Sequence, residues 1–437
     1  MGSLCKAILI LLVGCHVQVS AAEFRAAVAR VDITPETSKW LGGYGERQST
    51  GVLDRIYHRV VVLDDGATQF VLVSTEATLM SPAFCDEFFK ELEHDTGISP
   101  LQVWWSVTHS HSTPEIGPFG LVKTILGDRL KHDWDRQHAT FIKQALKSAI
   151  QKARANLVPA RLVIGTGVGT ANINRRKKNA DGRIDIAENP AGPVDRQIGL
   201  IRIERPDRSL IALIANYPIH GTVLMSKNLM ISGDAPGEVS AYVEEKLGVP
   251  MLFINGAAGD LAPKPRISPS NGEEALHSIR SSLGDEILAA NGAMGAPATN
   301  LALTLGEKVV ELERGPAERF NATGELGAYI ATDRSGKRTI KVHLRFLKLN
   351  RDTVLWAAPL ELFSEIAVKV RASSPFANTF YFGYVNGWLG YLFTDAAFAE
   401  NDLGRRRQSP FTGQAEHDFT EAVVHYLRAL SGATNGK

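Results

Sequence analysis

Two histidines separated by one residue, His109 and His111, follow the apolar run Val103-Trp104-Trp105 within Val107-Thr108-His109-Ser110-His111-Ser112. Imidazole is the commonest nitrogen ligand for zinc. Ligands of open α/β sheets gather beyond the carboxyl ends of strands. The spacing alone fits a hydrogen-bonded surface loop equally well. A third histidine, His220, also ends an apolar run, Leu210 to Ala215, and is followed by Gly221, which permits close backbone approach. Two strand ends carrying histidine say more than either alone. Glu361 follows the apolar Trp356-Ala357-Ala358, where it can supply an anionic oxygen or simply complement the dipole of a helix start. Tyr391 closes Asn386-Gly387-Trp388-Leu389-Gly390-Tyr391, and most tyrosines in such stretches are packing residues.

These residues need strands to hold them. β-rich runs are predicted at Val60–Asp64, Phe70–Ser74, Gln102–Val107, Arg161–Ile164, Ile198–Ile203, Leu210–Tyr217 and Met251–Ile254, then at Ala302–Val310, Thr339–Leu347, Val354–Ala358 and Thr379–Val385. Helical periodicity falls at Pro82–His94, Asp135–Ala155, Gly237–Leu247, Glu273–Ala290, Leu360–Ala372 and Asp418–Leu430. The alternation predicts an α/β fold: a mixed β-sheet core layered with helices, with the site at the C-terminal ends of strands. The polar stretch Asn172 to Asp195 reads as a long loop over the surface or over a site. No internal repeat stands out.

The balance of 48 basic and 47 acidic side chains, a net charge of +1, gives no support for a polyanion such as nucleic acid as the main partner. Lys6, the apolar run Ala7 to Val13 and the small residues up to Ala22 predict a signal peptide over residues 1–22 and an exported, secreted or periplasmic chain. Leu12-Val13-Gly14-Cys15 also fits a lipobox, which would anchor the chain through a lipid on Cys15. Residues 23–437 are then expected to form one domain. Cys5 and Cys15 lie in that leader, so Cys85 alone would remain, which excludes an intrachain disulfide or a thiolate metal site.

Taken in order, these segments resemble the catalytic domain of the neutral (alkaline, non-lysosomal) ceramidase family. The resemblance starts at Val31-Asp32-Ile33-Thr34-Pro35 and Gly43-Tyr44. It continues through the histidine pair, Asn174-Arg175, Asn189-Pro190, His220-Gly221-Thr222, Ser232-Gly233-Asp234 and Gly259-Asp260. It ends at Pro359-Leu360-Glu361-Leu362-Phe363 and Asn386 through Thr394. The resemblance implies one zinc ion per chain, held by His109, His220, Glu361 and Tyr391. It implies that His111, Asn174 and Arg175 face the substrate. Gly256 stands where the family has a serine that handles substrate, and Leu403 where it has a further tyrosine. No immunoglobulin-like C-terminal domain is expected after residue 430.

The expected function is therefore an exported zinc amidohydrolase acting on an N-acyl amide, ceramide-like or simpler, through attack by zinc-bound hydroxide. His111 and Arg175 would stabilise the carbonyl oxygen, or His111 would protonate the leaving nitrogen. The loss of two polar groups at positions 256 and 403 predicts weakened preference for the hydroxyl-rich head of ceramide. The partner is a small-molecule or lipid amide, with contact at a membrane surface if it is a lipid. A zinc esterase or phosphoesterase, and a binding protein with a vestigial metal site, are the competing readings.

Overall fold

The computed structural model describes residues 23–264, 272–315, 324–332, 335–400 and 409–432. Residues 1–22, read above as a signal peptide, with Cys5 and Cys15, and Leu403 lie outside them. Three sheets carry the chain, and each is built in the same order. In the first, β1 (Arg25–Asp32), β2 (Tyr57–Asp64) and β3 (Gln69–Thr75) run antiparallel, and β4 (Val103–Val107) adds parallel to β3. The second sheet repeats this with β5 (Arg161–Val168), β6 (Gln197–Glu204), β7 (Leu210–Tyr217) and parallel β8 (Met251–Asn255). The third does so with β9 (Thr304–Glu313), β10 (Arg338–Lys348), β11 (Thr353–Ala357) and parallel β12 (Asn378–Phe382).

Each parallel step needs a crossover, and a helix supplies it. These are α1 (Pro82–Thr96), α4 (Asp234–Leu247) and α6 (Ser364–Ser373). The remaining helices named here are α2 (Leu121–Leu126), α3 (Arg136–Ala155), α5 (Gly272–Gly292) and α7 (Ala415–Ser431). Local chemistry sets their ends. Pro82 opens α1, where a missing N–H costs nothing, and Gly97 closes it in the left-handed region at φ 72°. The Asp135 side chain caps α3 by accepting from His138 N. The element order thus recurs three times in a sequence that carries no repeat of residues.

The strand β4 is buried along its whole length, as a parallel strand covered on both faces must be. Trp105 faces Phe84 and Phe88 of α1. Trp104 points the other way, into a core shared by all three sheets with Ile214, Leu252, Leu355 and Phe380. A third core lies between the second sheet and helices α4 and α5. No helix among the described residues is long and apolar enough to cross a membrane.

Most predicted elements are present, with two differences at the site. The helix expected over Leu360–Ala372 begins only at Ser364. Glu361–Leu362 is instead a two-residue strand parallel to Tyr391–Leu392, because Glu361 N donates to Gly390 O and Phe363 N to Leu392 O. The polar stretch read as one long loop contains short strands. Asn172–Asn174 pairs with Leu261–Pro263, and Arg176–Lys178 with Ile184–Ile186. β1 was not predicted, since its alanines and arginines have weak strand preference.

Candidate metal centre

The parallel pairs end flush. Thr75 lies opposite Val107, Tyr217 opposite Asn255 and Ala357 opposite Phe382. The segments leaving these six ends converge, and two bridges tie them together: Ser110 with Gly221, and Ser106 with Val385. His109 leaves β4, His220 leaves β7, Glu361 leaves β11 and Tyr391 follows β12. All four are buried. His109 is held at φ 63°, a left-handed conformation that a non-glycine residue adopts only under surrounding constraint. Tyr384, itself at φ 55°, stacks on its ring at 4.4 Å.

The hydrogen bonds around the rings fix their tautomers. His109 Nδ1 donates to Thr78 O at 2.9 Å, and His220 Nδ1 donates to Ala258 O at 3.0 Å, because a carbonyl can only accept. Each ring therefore turns an Nε2 lone pair inward, and these nitrogens lie 3.1 Å apart. Glu361 Oε1 completes the group at 3.2 Å from His109 Nε2 and 3.3 Å from His220 Nε2, and it has no hydrogen bond of its own. Two imidazole nitrogens and a carboxylate oxygen this close together, with the Tyr391 hydroxyl bonded to the same carboxylate, form a buried cluster that a cation would satisfy. This donor set, two imidazole nitrogens and a carboxylate oxygen, fits zinc. Backbone carbonyls behind both rings are the usual support of metal-binding histidines.

His111 differs. Its Nε2 lies 3.2 Å from His109 Nε2, so it belongs to the same cluster of three ligand-type histidines. Its Nδ1, however, is buried without a partner. The ring is held from behind by Gly43, whose φ of 96° and lack of a Cβ let the backbone lie against it. Tyr44 flanks the ring at 4.7 Å, and Arg47 donates to His111 O at 2.6 Å. Burial, then His109 and Arg175, pushes the His111 pKa well down. Burial, then Arg175, does the same for His220. Burial alone would raise the Glu361 carboxyl, but His109 and Arg175 outweigh it and hold the pKa below the ordinary value.

The Arg175 guanidinium is buried behind these groups. Its Nη2 donates to Gly259 O at 2.8 Å and to the Tyr391 hydroxyl at 3.3 Å, and stands 3.9 Å from Glu361 Oε1. Asn174 is not brought to the cluster as a contact for substrate. Its Nδ2 donates to Pro193 O and Asp260 Oδ2 and its Oδ1 accepts from Arg176 N, so it shapes the turn that carries Arg175. Gly256 stands apart from the cavity at the histidines. It borders a different cavity with Asp195 and Arg371, and a Cβ there would press on Pro218. Gly256 is thus not among the residues that line the histidine cavity.

The histidine cavity measures about 440 Å³ and is lined by His109, His111, Glu361, Tyr391 and Trp388 on one side and by Leu79, Val122, Ile125 and Leu126 on the other. A second cavity of about 460 Å³ shares Gly43, Leu79, Val122 and Trp388 with it and runs on to Ile116 and Phe119. The sequence reading missed Trp388, Tyr44 and Arg47 as neighbours of the site. It also missed α2, whose apolar side chains are one wall. The Thr78 and Ala258 carbonyls carry no residue signature at all.

Among curated relatives, the chain is similar to the neutral ceramidase of Pseudomonas aeruginosa, at 25% identity over 261 residues, 57% of this chain and 38% of that protein. It is similar to the neutral ceramidase of Drosophila melanogaster at 24% over 298 residues, 62% of this chain and 41% of the relative. The chain thus spans about two-fifths of the length of these relatives. The crystal structure of the Pseudomonas aeruginosa enzyme superposes with a TM-score of 0.77 at 20% identity, covering 96% of this chain and 76% of that one. A ceramidase complexed with C2 gives 0.76 at 18% identity, covering 95% of this chain and 76% of that one. Both likenesses concern the fold. The family model for the N-terminal part of neutral/alkaline non-lysosomal ceramidases matches residues 24–260, more than half of the chain, and the chain belongs to that family.

Proposed function

We propose that the chain is a zinc-dependent hydrolase that cleaves the C–N bond of an N-acyl amide bearing an apolar chain, ceramide among the candidates. The observation that carries this reading is the convergence of His109 Nε2, His220 Nε2 and Glu361 Oε1 in a cavity lined also by apolar side chains. Those three groups, with the Tyr391 hydroxyl, would hold the metal. When bound, zinc supplies a Lewis acid and lowers the pKa of water to about 7.

The rest of the chemistry falls to the chain. His111 is neutral and turns its Nε2 to the centre, so that nitrogen is the group placed to pass a proton to the leaving nitrogen. Arg175 orients the Tyr391 hydroxyl, and its buried charge favours negative charge developing on a carbonyl oxygen. Val122, Ile125 and Leu126 of α2 with Leu79 exclude water and bind the apolar part. Family membership and the relatives' names favour an amide over an ester. Export through residues 1–22 belongs to the same proposal.

The test is a purified chain stripped with chelator and reloaded with zinc, assayed on a short-chain ceramide, a simpler N-acyl amide of equal acyl length and the matched ester. Amide hydrolysis should appear only with metal. Hydrolysis that persists in verified metal-free protein, or turnover confined to the ester, would sink the proposal.

A further inference from the structure

The indole of Trp388 donates a hydrogen bond to the second oxygen of Glu361, a carboxylate that the Tyr391 hydroxyl also bonds. Its Nε1–H donates to Glu361 Oε2 at 3.1 Å, while Oε1, the oxygen that faces His109 and His220, has none. Both side chains are almost fully buried. A glutamate's terminal torsion is soft and roughly two-fold, so a carboxylate without a fixed partner can turn. The indole N–H on Oε2 restrains that turn and keeps Oε1 facing His109 and His220. We propose that Trp388 is a positioning residue that sets which carboxylate oxygen the metal meets, and so tunes metal affinity from outside the ligand set. This rests on the zinc reading above.

The indole is itself held in place. Asn386 Oδ1 accepts from Trp105 N at 2.8 Å and its Nδ2 donates to Val103 O at 3.2 Å, which pins the loop to β4. Asn386 and Gly387 take φ values of 59° and 125°, and a Cβ on Gly387 would fall 2.6 Å from Pro82 Cα. Leu389 N donates to Pro359 O at 2.7 Å, just ahead of Glu361. The indole and the carboxylate therefore belong to one clamped unit. The same ring lines both cavities, so an apolar chain lying there packs against the group that holds the carboxylate.

Trp388→Phe keeps an apolar ring and removes the N–H. Partners behind metal ligands are worth about 10–100-fold in metal affinity. Zinc affinity, read by competition against a chromophoric chelator, should fall by about that factor, while the metal-free variant melts near the wild type. A double-mutant cycle with Glu361→Gln separates positioning from general damage. If Trp388 acts through the carboxylate, its replacement should change zinc affinity far less once Glu361 is glutamine. Unchanged affinity in Trp388→Phe, or an equal loss in both backgrounds, overturns the proposal. A wild-type chain that takes up no zinc would overturn the metal reading itself, and this proposal with it.

Discussion

Replacing Arg175 by alanine should remove turnover while leaving zinc in place. The guanidinium is 8% exposed and its Nη2 stands 3.9 Å from Glu361 Oε1. At an effective dielectric constant of about 20, unit charges at that distance interact by about 4 kcal/mol. Part of this is offset because alanine also removes the cost of burying the cation. Breaking a buried charge pair on one side costs about 3–5 kcal/mol, so the metal-free variant should lose stability in that range. A cation beside the centre repels a dication, so zinc affinity should stay the same or rise. Turnover should fall by about 10²–10³, the usual loss when a donor to a developing oxyanion is removed. Arg175→Lys should recover only part of it, since the charge returns but a shorter, more strongly hydrated ammonium must reach the point where Nη2 now meets both Gly259 O and the Tyr391 hydroxyl. Lys177→Ala, on the exposed part of the same segment, is the control. Arg176 cannot be one. It is buried, pairs with Glu400 at 2.7 Å and lies over the Phe363 ring. Steady-state kinetics and chelator competition on the same preparations decide the matter. Turnover within about threefold of wild type, or zinc lost from Arg175→Ala, would refute the role given to this charge.

His109→Ala and His220→Ala should lose zinc and activity together, while His111→Ala, which lacks a carbonyl behind its ring, keeps zinc and loses turnover; metal analysis beside activity checks this, and an empty His111→Ala would exchange the two assignments. Asp54 is a test of pH dependence: burial, with no hydrogen bond to Oδ2, raises its pKa from 3.8 to about 8. The native state therefore holds that proton over a window where the unfolded chain has released it, so this contribution is full below about 4 and is lost as pH rises through about 8. Asp54→Asn should flatten the dependence and be the more stable form at pH 8.5, on the order of a few kcal/mol at about 1.4 kcal/mol per pKa unit; urea midpoints at two pH values read this, and parallel curves for both proteins would contradict it. Arg59→Met leaves the buried carboxylates of Glu76 and Glu244 without their shared cation and should cost about 3–5 kcal/mol in urea unfolding, with a loss below about 1 kcal/mol counting against the assigned role.

The strand β4 was legible from its apolar Val103-Trp104-Trp105, and the histidines after it gained meaning only because His220 follows the apolar β7 in the same way. What escaped was information that resides in the partner and not in the residue. Leu360, Leu362 and Phe363 continue the helical spacing of Ile366 and Val370, so the sequence extends α6 backwards over Glu361. The hydrogen bonds that make Glu361 a strand come from Gly390 and Leu392, some thirty positions away. Asn174 and Gly256 were carried into the site by resemblance, yet the Asn174 side chain is taken up by Pro193, Asp260 and Arg176, and Gly256 borders another cavity. Trp388 could be seen as an aromatic residue, but not as the donor to Glu361 Oε2.

The recurring order of elements explains why so few residues needed to be visible for the centre to exist. Every sheet ends in a parallel pair, and the chain leaves both strands of that pair at one edge. The first sheet supplies His109 from one strand end and the Thr78 carbonyl behind it from the other. The second supplies His220 and, from the neighbouring end, the Ala258 carbonyl behind it. The third supplies Glu361 and, from its neighbour, Trp388 on the far oxygen. Each of these three candidate ligands thus has a support from the adjacent strand of its own sheet, so a shift of one sheet against another moves donor and support together. Such an arrangement keeps each donor's direction fixed even while the distances between sheets relax, which is what a site meant to receive an ion after folding requires.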